Sequence, residues 1–207
     1  MVEVKSSDAA VWWEGPLAVD ADGAPNAYGP PGTEHLDALA NAGQPGNWYG
    51  VVTDGNGDPV VQGPGDPCPG RYVSPTSLQD HSKARTDPLR YVDSTKIRYV
   101  SIPGNAVRDY GLAVGDAALV TDRRTGQWAS AIVGDTGPRN KWGEGSVALC
   151  DALGVDDSAR SGGEDAAVVV VVVFRGSSRG WPRTNEDVAQ QVNELIDSVG
   201  GAQQFLQ

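Results

Sequence analysis

"DAALVTDRRTGQWASAIVGD", Asp116 to Asp135, is the stretch on which the fold turns. Two short apolar runs flank Arg-Arg-Thr-Gly, a polar turn closed by glycine, and that pattern specifies a β-hairpin. In its second half Ala129, Ala131, Val133 and Asp135 share one face under strict alternation. Trp128, Ser130, Ile132 and Gly134 share the other. Asp135 is therefore expected to end an apolar row, where a sheet or barrel opens to solvent.

Working outward, "AAVVVVVVF" from Ala166 to Phe174 has nine apolar residues. That is half a membrane span at best and suits a central strand. "KIRYVSIP" gives a strand running into Pro103, and Val11 to Leu17 reads as a first strand. "NWYGVVTD" from Asn47 reads as another, joined through "GNG" to "DPVVQG". Helices are expected at Thr33–Gly43, at Glu144–Leu153 ending on Gly154, and at Asn185–Val199. In the last, Val188, Val192, Leu195 and Val199 lie on one side. The chain has 27 glycines and 14 prolines without a triplet period, which excludes collagen and favours many short strands and tight turns. The Ser/Thr- and turn-rich segment from Pro64 to Arg90 reads as a long ordered excursion. The expected fold is mainly β with a few helices: a small mixed barrel around one core. Residues 1–10 read as an N-terminal tail and 11–207 as a single domain.

The formal net charge of -11 comes from 27 acidic against 16 basic side chains. Such a surface repels phosphates and anionic lipid and attracts a polycation, so neither nucleic acid nor a membrane is an expected partner. Cys68 and Cys150 are too few for a cysteine-based zinc site, and His35 and His81 have no metal spacing. No metal or cofactor is expected. The N-terminal residues lack a basic region followed by an apolar stretch, so no secretory signal is expected in this chain.

The candidate chemistry lies in "GDTGPRNKWGEGS". Asp135 ends a strand, a Gly/Pro/Asn loop turns the chain, and Glu144 resumes it between Gly143 and Gly145. One reading has Asp135 anchoring the turn and Glu144 favouring a helix N-terminus. The other has a paired-carboxylate site, as glycosidic cleavage requires: an acid on the leaving oxygen and a base or nucleophile opposite. Upstream, Asp20 and Asp22 share a face in extended chain. A calcium loop would continue with alternating oxygen ligands, which "APNAYG" does not supply. "FRGSSRGWP" lacks the order of a phosphate loop.

Several segments in this order resemble the glycoside hydrolase family 75 chitosanases: "VDADGAPNAY", "LANAGQPGNWYGVVTD", "PGRYVSPTSLQD", "YVDSTKIRYVSIPG", "GDTGP…GEGSVALCDALG" and "FRGSSRGWP". The resemblance spans about Val11 to the C-terminus. It implies an endo-acting, inverting hydrolase of chitosan, an extracellular setting, and a double-psi-like β-barrel as in family 45 glucanases and expansins. It places the essential Asp and Glu at Asp135 and Glu144. Chitosan carries protonated amines, for which Asp20, Asp22, Asp54 and Asp58 are the expected contacts. Trp48, Tyr49 and Trp142 are the expected stacking platforms. Glu144 is the expected general acid, beside an apolar helix, and Asp135 the expected base. A monomer is expected. The alternative is a noncatalytic or lytic barrel that binds another amino-sugar polymer such as peptidoglycan.

Overall fold

A computed structural model describes residues 2–205. In chain order the strands are β1 (Val4–Ser6), β2 (Ala10–Asp20), β3 (Gly43–Gln44), β4 (Asn47–Trp48), β5 (Tyr99–Pro103), β6 (Ala117–Asp122), β7 (Trp128–Gly137), β8 (Glu144–Ser146) and β9 (Glu164–Phe174). The helices are α1 (Ala106–Tyr110), α2 (Val147–Leu153) and α3 (Asn185–Ser198), with short 3-10 turns elsewhere. β2, β8, β5, β7, β6 and β9 pair in that order, and β9 returns to β2, closing a six-stranded barrel. The hairpin of β6 and β7 forms as its sequence requires, with Ala117 opposite Ile132 and Thr121 opposite Trp128. The valine strand β9 pairs with β2 on one side and β6 on the other, so it has no free edge.

Alternation sorts the strands into two apolar layers. Val11, Trp13, Val100, Ile102, Ala118, Val120, Ala131, Val133, Val169, Val171 and Val173 form the core cluster inside the barrel, joined by Leu149 and Leu153 of α2. The opposite set, including Leu119, Ile132, Val170 and Val172, packs under Val188 and Val192 of α3. Thr184 caps α3 in a capping box with Asp187, which fixes where this amphipathic helix begins. Each β-branched valine of β9 is therefore covered on one layer or the other, and burying such a side chain stabilises by roughly 1.5–3 kcal/mol.

Residues 21–98 leave the barrel after β2 and return at β5. The regular structure of this excursion is limited to the two-residue pair β3–β4, two short 3-10 turns, and isolated bridges such as Thr53 with Pro59. Instead of ladders it uses buried side chains to satisfy its backbone. Gln62 donates through Nε2 to the Tyr72 carbonyl at 3.1 Å and accepts from Cys68 N at 3.0 Å. Thr76 Oγ1 accepts from Val92 N and donates to the Leu78 carbonyl.

Three local expectations are corrected. The helix expected at Thr33–Gly43 is a single 3-10 turn, Leu39–Ala42, because Leu36 N and Asp37 N bond to the Asn26 and Ala27 carbonyls. The strand expected at Asn47–Asp54 stops after Trp48, where Tyr49 and Gly50 N–H both turn to the Ala42 carbonyl. Glu144–Ser146 is strand, not helix: Ser146 Oγ accepts from Leu149 N, so the helix starts at Val147 and ends on the left-handed Gly154. Within the expected tail, Val4–Ser6 pairs antiparallel with Val11–Trp13.

Candidate active site

The decisive feature is an extra residue in β7. Val100 and Ser101 are consecutive in β5, yet their partners are Val133 and Asp135. Gly134 is the bulge between them, and a bulge turns the following side chain to the other face. Asp135 therefore leaves the lumen row of Ala129, Ala131 and Val133, correcting the alternation read from sequence. Only glycine fits the bulge, since a Cβ there would lie 2.5 Å from Tyr99 Cγ.

On this outer face Ala18, Glu144, Ser101 and Asp135 form one row across four strands. One strand separates the two acids, so their Cα atoms stand about 9.5 Å apart, two inter-strand spacings. Glu144 leans back across Ser101: its Oε2 lies 2.9 Å from where a Cβ on Gly137 would sit. Gly137 thus leaves the space that the carboxylate occupies. Glu144 Oε1 is 2.6 Å from Lys141 Nζ, which draws the basic loop into an ion pair.

The excursion lies over this face, and between the two is a cleft of about 840 Å³ lined by Asp20, Asp22, Asp135, Glu144, Tyr28 and Ser77 among others. Asp20 Oδ1 accepts from Asp22 N at 2.9 Å, and Asp22 Oδ1 accepts from Ser74 Oγ at 3.3 Å. Burial, and then the charges of Asp22 and Asp135, hold the Asp20 carboxyl well above its usual range. Burial together with Asp135 pushes Asp22 up to about 8. Burial also raises Asp135, against the opposing pull of donors on its Oδ1. Such a cluster favours protons, or a cation that replaces them.

Of the nine residues singled out from sequence, Asp20, Asp22, Tyr49, Asp135 and Glu144 line this cleft. Trp142 does not: it packs on Trp13 with centroids 4.5 Å apart and on Tyr110 at 5.7 Å. Trp48 packs toward Tyr72, and it too lies outside the lining. Asp54 accepts from the backbone N–H groups of Asn56 and Asp58, so it shapes its own turn, and Asp58 belongs to the same exposed loop. These four lie outside the lining of the cleft. Sequence reasoning did not single out Tyr28, Asp37, Ser77 and Ser101, although Tyr28, Ser77 and Ser101 lie within the segments that carry the resemblance; long-range packing brings all four to the cleft. Cys68 and Cys150 are both free thiols, and burial pushes Cys150 up to about 12. Among the described residues no group of three or more His, Cys, Asp or Glu side chains is set to hold a metal ion. Among them also, no helix is long and apolar enough to cross a membrane.

Fold and site together define a closed, mainly β barrel with an acid-lined cleft on its outer wall. No protein-family model matches the chain, and no curated protein matches it.

Proposed function

We propose that this chain is an endo-acting, inverting glycoside hydrolase of a cationic amino-sugar polymer, chitosan above all, working without a cofactor. The observation that carries the reading is the Asp135–Ser101–Glu144 row, two carboxylates on one face with a strand between them. Inversion needs room for a water, with carboxyl groups ~6.5–9.5 Å apart. Two inter-strand spacings between the backbones, about 9.5 Å, leave room for that water. Two parallel pairings, β2 with β8 and β5 with β7, in an otherwise antiparallel ring support a double-psi-like barrel.

The electrostatics favour roles opposite to those expected from sequence. Asp135, raised by burial, is the group suited to hold a proton and give it to the leaving oxygen as the C1–O bond breaks. Glu144 in its ion pair with Lys141 is the carboxylate suited to take the proton from water as the new C1–O bond forms. Asp20 and Asp22 supply the acidic ground on which a sugar ammonium replaces bound protons.

The test is one matched assay. Wild type, Asp135→Asn and Glu144→Gln are given chitosan, chitin and peptidoglycan, and the first product is followed by proton NMR. The expected result is cleavage of chitosan to the inverted anomer, with turnover down about 10²–10⁴-fold in either variant and the fold unchanged. A retained anomer, or a Glu144→Gln protein of wild-type activity, would overturn the mechanism. Preference for peptidoglycan would move the substrate to the alternative polymer.

A further inference from the structure

From the contacts around Asp135 we infer that Ser77 is a positioning residue, which decides which oxygen of that carboxyl carries the reacting proton. The inference rests on the proposed role of Asp135 and adds to it a residue 58 positions away. Asp135 Oδ1 accepts from Ser77 N at 2.8 Å, Ser77 Oγ at 2.6 Å and Thr136 N at 2.8 Å. Three donors saturate that oxygen, because a proton placed there would have to displace one of them. The exchangeable proton is left to Oδ2. Ser77 spends its single hydroxyl proton on Asp135, so the 2.7 Å contact between Thr136 Oγ1 and Ser77 Oγ has threonine as donor. The two hydroxyls and the carboxyl form one chain in which each bond polarises the next.

The backbone holds Ser77 there by two points. Gly134, pushed out of the β5–β7 ladder by the bulge, presents its carbonyl to Leu78 N at 2.9 Å. Thr76 is buried and bonded to Val92 N on the far side. One bulge therefore turns Asp135 outward and clips the excursion at Leu78 so that the preceding residue, Ser77, can hold it. The ionisable groups facing Asp135 are Asp20 at the end of β2, Asp22 just beyond it, Tyr99 on β5 and Glu144 on β8, with Lys141 behind Glu144.

The experiment follows the Asp135 side-chain carboxyl by carbon-13 NMR titration in wild type, Ser77→Ala and Ser77→Thr. The pH profile of kcat on chitosan is measured alongside. Removing the hydroxyl takes a donor from the ionised form, so the titration midpoint and the basic limb of the profile should both rise by ~1 pH unit. A loosened acid should cost kcat about 10–100-fold with KM little changed. Ser77→Thr keeps the hydroxyl and should restore both. An unmoved midpoint in Ser77→Ala overturns the inference, as does movement of the acidic limb alone. If Ser77→Ala does not fold, Thr136→Val removes the hydroxyl behind Ser77 and should shift the midpoint the same way by less; no shift there is equally fatal. A wild type that cleaves no amino-sugar polymer, while its Asp135 midpoint still answers to Ser77, removes the proposed function and leaves the positioning role standing.

Discussion

The barrel and the excursion of residues 21–98 hold together by different physics. In the barrel, Ile102, Ile132, Val172 and Val173 are fully buried, and the strands satisfy one another's backbone in continuous ladders. Apolar area is non-directional, so its contribution is spread over many side chains. In the excursion, Asp37, Gln62, Ser74, Thr76 and Ser94 are buried polar residues, each closing particular backbone groups. Directional bonds of that kind concentrate stability in single atoms, and an unmade one costs the full desolvation of its partner. The cleft lies where the two regimes meet. The barrel wall supplies Asp135 and Glu144, and the excursion supplies Ser77 and the groups that roof the cleft.

The sharpest way to break this contrast is to cut each region at one residue. Ile102→Ala opens a cavity in the lumen and should destabilise the whole molecule by about 2–5 kcal/mol in urea unfolding. Gln62→Ala orphans the Tyr72 carbonyl and Cys68 N, and should cost about 1–3 kcal/mol. Amide exchange should show the second loss confined to residues 21–98, with the barrel amides as protected as in wild type. If both variants lower protection everywhere by the same amount, the two regions are one cooperative unit and the contrast fails.

A smaller effect sharpens it through pH. Asp20, Asp22 and Asp135 have folded-state values above their unfolded ones, so the folded chain binds more protons. Their contribution is fully present below the unfolded value of 3.8 and is lost as pH rises through the folded values, about 8 for Asp22. Tm should therefore fall between pH 5 and pH 9, by about 2–4 °C for each kcal/mol lost. Asp22→Asn should flatten the slope. Glucosamine oligomers should flatten it too, since an ammonium offsets the clustered charge. A Tm that rises over this range would mean that the cleft carboxylates are not under strain.

Much of the barrel is legible residue by residue. Val168 to Val173 can only be covered on both faces, the Arg-Arg-Thr-Gly turn forces β6 against β7, and the Val188/Val192 spacing requires a surface to cover. Asp135 and Glu144 stand out as carboxylates among glycines beside apolar strands. The excursion is not legible in this way. Its elements are too short for a period, and Leu36 near Thr33 looks like a helix until Asn26 and Ala27 take its backbone bonds. Trp142, expected as a stacking platform, is of a residue type more often found in a core; its packing on Trp13 and Tyr110 is not legible in sequence.

The sequence by itself determined the strand and helix material, the acidic charge, and the pair of carboxylates, because periodicity and composition act locally. Tertiary structure alone decided which way Asp135 points and what holds it. The bulge at Gly134 exists only because β5 pairs Ser101 with Asp135, and Ser77 reaches that carboxyl only because Leu78 N takes the carbonyl that the bulge sets free. Register and long-range hydrogen bonds are properties of paired segments, and no single segment encodes its partner.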